Sequence, residues 1–332
     1  ASSLVGSEMC IRDRLRGIQL PDWKQIEHTP SRRIKGRFDE LSKIRKYRES
    51  IPDWIDDLGA DSLGEELWTK EIAALNKQAQ VILRTNTLKT TKPKLRTILM
   101  DEGIETDPIE GYPDALILKE RTNVFKTKPF ADGFFEVQDS SSQQVGTFTQ
   151  AEPGLRVIDA CAGAGGKTLH LAALMQNKGQ LIALDIYANK LKELKRRAKR
   201  AGAHNIETRL ISSSKVYKKL YSSADRVLID APCTGLGVLR RNPDTKWKLQ
   251  PEFLARITKV QQEILRTYSK MVKENGKLIY ATCSILPQEN KEQVKQFLDS
   301  DEGKVFSLEK EVNIYASESG FDGFYMARMI RK

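Results

Sequence analysis

Short apolar segments alternate with longer amphipathic segments over the second half of the chain, and this alternation most constrains the fold. Strands are predicted at residues 155–159, 180–185, 206–211, 226–230 and 277–282. Helices are predicted at residues 167–176, 188–201, 251–273 and 289–299. Such alternation favours βαβ units and a mostly parallel sheet with helices on both faces. The closing residues 323–330 predict a last strand, which we expect to be an antiparallel edge.

The residues before this region predict a second, smaller α/β module over residues 81–140. Its predicted strands and helix lie at residues 81–86, 93–102, 115–118 and 134–140. We expect this module to bind RNA.

Residues 15–80 predict a basic helical region. Residues 31–48 are rich in lysine and arginine, a pattern typical of a solvated helix face or of a surface that contacts phosphates. Residues 62–78 keep helical spacing, with Ser62 as a candidate N-cap for Glu65. Residues 1–14 are interpreted as a non-native or disordered N-terminus, because residues 8–13 look like a translated sequencing adapter.

Charge and cysteine content limit the functional classes. The net charge of +11 and the pI of about 9.3 suit a polyanionic partner. No apolar stretch approaches the roughly 18 residues that a membrane span needs, so we expect no membrane association. Cys10, Cys161, Cys233 and Cys283 lie far apart without zinc-type spacing, so we expect no metal site and a reducing, cytoplasmic location. We also expect a monomer.

A glycine-rich turn follows the first strand of the alternating region, at Cys161 to Gly166. Ligands of doubly wound sheets bind beyond the carboxyl ends of the strands, where glycines let backbone amides approach. The turn lacks the first glycine of a Walker phosphate loop and the third glycine of a dinucleotide fingerprint. It therefore favours a nucleoside-bearing methyl donor.

Asp185 ends the second strand, where a carboxylate can accept hydrogen bonds from ribose hydroxyls or cap the next helix. Lys190 can reach the same site or remain a solvated helix lysine.

Two further strand ends carry a thiol. Asp230-Ala-Pro-Cys233 closes one apolar strand, and Thr-Cys283-Ser closes another. A lone intracellular cysteine is usually a small buried hydrophobe. Two cysteines at neighbouring strand ends, each in a turn-forming sequence, instead indicate an active site.

These motifs resemble the Sun/Fmu group of RNA cytosine-C5 methyltransferases, which use S-adenosylmethionine. The resemblance rests on VIDACAGAGGKT, ALDIYANK, DRVLIDAPCTGLGVLRRNPDTKW and IYATCSILPQEN, and extends from about residue 50 to the C-terminus. It implies a Rossmann-like class I methyltransferase fold over residues 141–332 and small-subunit ribosomal RNA as substrate.

The resemblance also implies roles for individual residues. Cys283 would attack the cytosine, Cys233 would assist release, Asp230 would lie near N3 of the base, and Lys167 would orient the base or lower a thiol pKa. The candidate cofactor-binding residues are Cys161, Ala162, Gly163, Ala164, Gly165, Gly166, Lys167, Asp185, Lys190, Ser212 and Asp230.

Two departures from the family pattern concern the donor site. Ala164 stands where the family usually has proline, and Ser212-Ser213-Ser214 stands where it usually has an aspartate near the adenine. We expect a looser turn and weaker donor binding.

Two alternatives remain open at this point. DNA cytosine-C5 methyltransferases attack with a Pro-Cys cysteine, which would make Cys233 the nucleophile. A non-catalytic ribosome-assembly factor that holds RNA would also fit the positive charge. For the RNA enzyme we expect one positive face built from residues 32–48, the small module and residues 240–247, with Trp247 as a candidate for stacking on a base.

Overall fold

The computed structural model of the protein describes residues 31–332 together with Leu15; the interpretation of residues 1–14 lies outside this part. The chain divides into two compact units, residues 1–58 and residues 59–332. The described part of the first unit contains helices α1 (Ser31–Leu41) and α2 (Arg45–Arg48) and the start of α3 (Asp53–Leu63). Side chains along α1 are mostly exposed, which suits either reading of the basic segment.

The second unit begins with a small α/β module. Its elements are α4 (Glu65–Leu75), β1 (Ile82–Thr85), α5 (Lys92–Asp101), β2 (Thr106–Pro108), β3 (Ala115–Leu118), α6 (Lys128–Ala131) and β4 (Phe135–Val137). The strands pair in the order β2-β3-β1-β4, antiparallel throughout. Its core includes Leu83, Leu95, Leu99, Leu116 and Phe135.

The predicted helix over residues 62–78 is wrong as a single element. α3 ends at Leu63, and α4 begins at Glu65, because Gly64 adopts a φ of 81° that interrupts the helix. Ser62 is therefore not an N-cap. Its hydroxyl instead accepts a hydrogen bond from Gln288 Nε2 at 2.8 Å.

The rest of the unit forms the alternating α/β region that the sequence predicts. Its elements are α7 (Ser140–Phe148), β5 (Arg156–Asp159), α8 (Gly166–Leu174), β6 (Gln180–Asp185), α9 (Ala188–Ala201), β7 (Ile206–Leu210), α10 (Ser214–Lys218), β8 (Ala224–Asp230), α11 (Thr245–Lys248), α12 (Pro251–Tyr268), β9 (Val272–Thr282), α13 (Lys291–Leu298), β10 (Phe306–Ile314), α14 (Ala316–Ser319) and β11 (Phe324–Arg331).

A seven-stranded sheet with the order β10-β11-β9-β8-β5-β6-β7 lies at the centre of this region. Strands β5 to β9 are parallel, whereas β10 and β11 are antiparallel. Successive residues of a strand are buried on opposite faces, as Val157 and Ile158 of β5 show. Burial on both faces is what parallel strands covered by helices require. This architecture confirms the expected Rossmann-like methyltransferase fold.

Two predicted details differ from the structure. β11 is antiparallel, as expected, but it lies inside the sheet, because β10 covers its outer side. The sequence analysis missed β10, whose central side chains are charged and exposed, as is common for an edge strand. Helix α12 also ends at Tyr268 rather than near residue 273, because β9 already begins at Val272.

Buried ion pairs join the small module to the large sheet. Glu136 of β4 pairs with Arg197 of α9 at 2.9 Å and also with Arg200. The Glu136 side chain is only 5% exposed, so little solvent screens these pairs. The carboxylate therefore neutralises two guanidinium groups at a buried junction.

We predict that Glu136→Gln lowers the free energy of unfolding by about 3 kcal/mol, because it leaves two partly buried arginines without a counter-charge. Urea denaturation checks this value. The matched control is Glu207→Gln, whose carboxylate pairs with Arg209 at 2.6 Å but is 46% exposed. This control should cost less than about 1 kcal/mol. Equal effects of the two substitutions would contradict the prediction.

Candidate active site

The site lies where the order of the parallel strands reverses. From β5 the chain proceeds outward through β6 and β7, then returns to the other side of β5 with β8 and continues to β9. The carboxyl ends of strands at such a switch point form a crevice that binds ligands. The glycine turn follows β5, Asp185 ends β6, and the two cysteine motifs follow β8 and β9. The fold therefore brings all four predicted motifs to one edge of the sheet.

The glycines of the turn are needed for different structural reasons. Gly163 has a φ of 54°, and a Cβ added there or at Gly166 would meet nothing within 4 Å. Both positions thus leave open space in front of the backbone, which a ligand can approach. Gly165 has a φ of 92°, and its added Cβ would lie 2.6 Å from Leu194 of α9. This glycine is required for close packing behind the turn.

Two arginines hold the turn from behind. Arg197 of α9 donates a hydrogen bond to the carbonyl oxygen of Ala164 at 2.8 Å, and Arg84 of β1 donates one to the carbonyl oxygen of Gly166 at 2.8 Å. The turn is thus held by both the methyltransferase-type sheet and the small module. The sequence analysis missed these two arginines.

Asp185 connects the turn to the next helix. Its Oδ2 accepts a hydrogen bond from the Gly163 amide at 2.8 Å, and its Oδ1 accepts one from the Tyr187 amide at 2.8 Å. Tyr187 is the N-cap of α9 and makes no side-chain cap hydrogen bond, so the reading of Asp185 as the cap of this helix is wrong. Its carboxylate instead supports the turn and the chain just before α9. Lys190 is exposed, with Nζ 4.6 Å from the centre of the Tyr187 ring. Ser212 is exposed beyond the carboxyl end of β7.

The two cysteine motifs meet directly. Cys233 Sγ lies 3.3 Å from Cys283 Sγ, within hydrogen-bonding distance for sulfur. The hydrogen bond to Cys283 and burial raise the pKa of the Cys233 thiol well above its ordinary value. Cys233 therefore keeps its proton at neutral pH in this arrangement.

A buried ion pair lies beside the thiols. Lys167 Nζ donates to Asp230 Oδ2 at 2.8 Å and lies 5.2 Å from the centre of the Phe324 ring. Burial lowers the pKa of Lys167, but the negative charge and hydrogen bond of Asp230 outweigh this effect and raise it overall. The lysine therefore remains charged at the mouth of the site.

Cys161 follows β5 and is not part of the Cys233–Cys283 pair. Burial raises its pKa well above the ordinary value. The thiolate is the reactive form of cysteine, so this thiol is unsuited to nucleophilic attack at neutral pH.

A buried polar cluster behind the thiols was also missed. Glu289 accepts hydrogen bonds from Thr234, Ser284 and Gln261. Its position in the segment PQEN, shortly after the second cysteine motif, was the available signal.

The basic side chains of the segment 240–247 make hydrogen bonds and ion pairs with other parts of the protein. Arg241 donates to Asp139 Oδ2 at 2.8 Å and also pairs with Asp322. Arg240 donates to the carbonyl oxygen of Gly320 at 2.7 Å, and the buried Lys246 donates to Asn76 at 2.9 Å. These cations make contacts within the protein, and their contact with phosphates stays a prediction. Trp247 is 56% exposed.

No group of three or more His, Cys, Asp or Glu side chains among the described residues could hold a metal ion. The helices in this part of the chain also include none with the length and apolar character for crossing a membrane.

Comparison with known proteins gives two family matches. The model described as 16S rRNA methyltransferase RsmB/F matches residues 147–330, and the model for the ferredoxin-like domain of RsmF/B-like methyltransferases matches residues 51–125.

Individual relatives agree with these matches. A probable ribosomal RNA small subunit methyltransferase B from Synechocystis is 35% identical over 80% of this chain and 59% of the relative. Ribosomal RNA small subunit methyltransferase B from Vibrio cholerae is 33% identical over 84% of this chain and 65% of the relative. The chain thus spans less than two thirds of either protein. A methyltransferase homologue from Pyrococcus horikoshii shares the fold, with a TM-score of 0.77 and 24% identity over 89% of this chain and 99% of that chain.

The buried carboxylate of Asp159, at the end of β5, generates a pH prediction. Its Oδ2 accepts a hydrogen bond from Thr168 at 2.7 Å, and burial raises its pKa from 3.8 to about 7. Between these values the folded state keeps a proton that the unfolded state has lost, so rising pH lowers stability.

We predict that Asp159→Asn removes this dependence. The free energy of unfolding of the original protein should fall relative to the variant, by an amount on the order of 4 kcal/mol, as the pH rises from about 4 to about 7. Urea denaturation of both proteins across this range measures the difference. A difference that stays constant with pH would contradict the prediction.

Proposed function

Because this chain belongs to the RsmB/F family of 16S rRNA methyltransferases, we propose that it methylates C5 of a cytosine in RNA, with small-subunit ribosomal RNA as the substrate. S-adenosylmethionine is the proposed methyl donor. The observation that carries the proposal is the 3.3 Å distance between Cys233 Sγ and Cys283 Sγ beside the glycine turn. A ribosomal RNA substrate would place the enzyme in the cytoplasm, and we propose that it acts as a monomer.

The residues around the turn fit this donor. The open space in front of Gly163 and Gly166 lets a ligand reach the backbone. The N-terminal end of α8 lies beside this space. Asp185 keeps lone pairs that can accept hydrogen bonds from ribose hydroxyls. Exposed Ser212 would replace the usual acid near the adenine, with a weaker interaction. When bound, S-adenosylmethionine would supply an electrophilic methyl group and leave as S-adenosylhomocysteine, because the bond between the methyl carbon and sulfur breaks with its electron pair on sulfur.

Cys283 makes the cytosine carbon nucleophilic. Its thiolate adds to C6, a sulfur–carbon bond forms, and the electron pair of the C5–C6 double bond moves to C5, which can then take up the methyl group. Asp230 would accept a hydrogen bond from N3 of the base when N3 carries a proton, and Lys167 holds that carboxylate in place from 2.8 Å.

Cys233 assists the release of the methylated base. C5 loses its proton to solvent, the electron pair restores the double bond, and the bond between C6 and sulfur breaks with its pair passing to Cys283. Cys233, which retains its proton, donates that proton to the departing sulfur. The exchange of one proton between two neighbouring sulfurs then restores the starting state.

RNA binding remains part of the proposal. The small module over residues 81–140 and the basic residues 32–48 are the proposed phosphate-binding elements, and the target base would be flipped out of its stack. Exposed Trp247 is the proposed stacking residue.

We predict that Asp185→Ala abolishes binding of S-adenosylhomocysteine, because it removes the acceptor for the ribose and the bond to the Gly163 amide. Isothermal titration calorimetry measures the affinity, and thermal unfolding shows that the variant is folded. The matched control is Asp225→Ala, which removes a carboxylate that accepts from the Arg156 amide near the opposite end of the sheet. The control should keep its affinity. If Asp185→Ala binds S-adenosylhomocysteine with undiminished affinity, Asp185 has only a structural role.

The division of labour between the thiols gives a second prediction. Cys283→Ala should lose turnover and form no covalent complex with RNA, because the attacking sulfur is absent. Cys233→Ala should still attack and then stall, leaving protein covalently attached to RNA. Denaturing electrophoresis after incubation with RNA and S-adenosylmethionine detects this complex.

Asp225→Ala, near the opposite end of the sheet, serves as the control and should behave like the original protein in this assay. A covalent complex in Cys283→Ala but not in Cys233→Ala would reverse the assignment and favour the DNA-enzyme type of mechanism. Loss of folding in both variants would indicate a purely structural role of the thiols. Absence of methylation even by the original protein would favour the non-catalytic RNA-binding factor.

A further inference from the structure

Glu289 is a carboxylate buried directly behind the two thiols. Its residue is 0% exposed, and it follows β9 in the 3₁₀ turn Pro287–Glu289. Four hydrogen bonds from described residues reach its carboxylate, and all four donors are neutral. Burying a carboxylate is costly unless its hydrogen bonds are satisfied. An apolar residue at position 289 would avoid this cost, so we expect the carboxylate to have a function.

Three of the four donors belong to the loops that carry the cysteines. Thr234, the residue after Cys233, donates its amide to Oε1 at 2.8 Å and its hydroxyl to Oε2 at 2.6 Å. Ser284, the residue after Cys283, donates its hydroxyl to the same Oε2. One carboxylate therefore binds the chain one residue beyond each sulfur.

The two loops depend on this carboxylate to different degrees. The Cys283 loop has further anchors, because Asn290 donates to the Ser284 carbonyl at 2.9 Å and Gly237 donates to the Cys283 carbonyl at 2.9 Å. The Cys233 loop lies beyond the end of β8. Gln261 holds it by donating both to the Pro232 carbonyl at 2.9 Å and to Glu289 at 3.1 Å. Loss of Glu289 should therefore displace Cys233 more than Cys283.

We propose that Glu289 is a positioning residue that holds Cys233 against Cys283, so that Cys233 can donate its proton in the release step. This inference rests on the proposed function. It accounts for a buried carboxylate that contacts neither sulfur directly and yet binds both loops. It also assigns Glu289 to the second half of the reaction, after the bond to C6 has formed.

The test uses Glu289→Ala in the full chain with both cysteines present. We expect turnover to fall by at least about tenfold, since a misplacement of about 1 Å can cost a hundredfold. A covalent protein–RNA complex should accumulate, as expected for Cys233→Ala, because attack survives and release is slow. Glu289→Gln should restore most turnover, because the amide has the same shape and the two hydroxyls can accept its hydrogen atoms. A glutamine variant as impaired as the alanine variant would overturn the positioning role.

A second pair of variants covers the case in which Glu289→Ala fails to fold. Thr234→Val removes one hydroxyl bond to Glu289 with little change in shape, whereas Thr234→Ser keeps that hydroxyl. We expect the covalent complex to accumulate in Thr234→Val and not in Thr234→Ser. Glu292→Gln, an exposed carboxylate of α13, is the matched control and should leave turnover unchanged. A folded Thr234→Val variant with normal turnover would overturn the inference.

The outcomes separate this inference from the function on which it rests. If Cys233→Ala traps no complex, the proposed roles of the thiols fail. If Cys233→Ala traps a complex but folded Glu289→Ala loses turnover without trapping one, only the role of Glu289 fails. If Glu289→Ala only reduces stability, with normal turnover and no covalent complex, the proposed role of Glu289 is also rejected.

Discussion

The reversal of strand order between β5 and β8 is the constraint from which the site follows. A parallel strand presents its carboxyl end to the same edge as its neighbours, so residues far apart in sequence meet there without any local signal. Asp185, Asp230 and Cys283 come from three different strands and meet at one edge for this reason. The buried faces of the sheet keep these ends in register, because a shift by one residue would exchange the two faces of a strand.

Polar contacts then fix the positions of the cysteine side chains more closely than the strand topology does. The 3.3 Å separation of the sulfurs is finer than strand pairing alone can define. The buried bonds of Glu289, Gln261 and Asn290 supply this precision from behind the loops. Buried polar networks of this kind restrict the loops to fewer conformations, although Oε1 of Gln261 has no hydrogen-bond partner among the described residues.

Much of the fold and part of the site could be predicted from the sequence, for identifiable reasons. The period of the apolar residues located β6 and α9 to the residue, because β6 is buried and α9 is strongly amphipathic. The cysteine pair was predictable because each thiol follows an apolar strand. By contrast, the bonds from Arg84 to Gly166 and from Arg197 to Glu136 join residues far apart in sequence, and neither partner carries a local signature. Arg240 and Arg241 looked like surface charge because the sequence does not reveal their buried partner Asp322.

The bond from Arg84 to the Gly166 carbonyl has a thermodynamic consequence. Arg84 belongs to β1 of the small module, while Gly166 begins the helix behind the glycine turn. A ligand that displaces or stiffens β1 would therefore change the energy of the turn. Linkage requires the effect to be mutual: if RNA on the small module tightened donor binding, the donor would tighten RNA binding by the same factor. The two proposed substrates would then load cooperatively, in either order, through the guanidinium groups of Arg84 and Arg197.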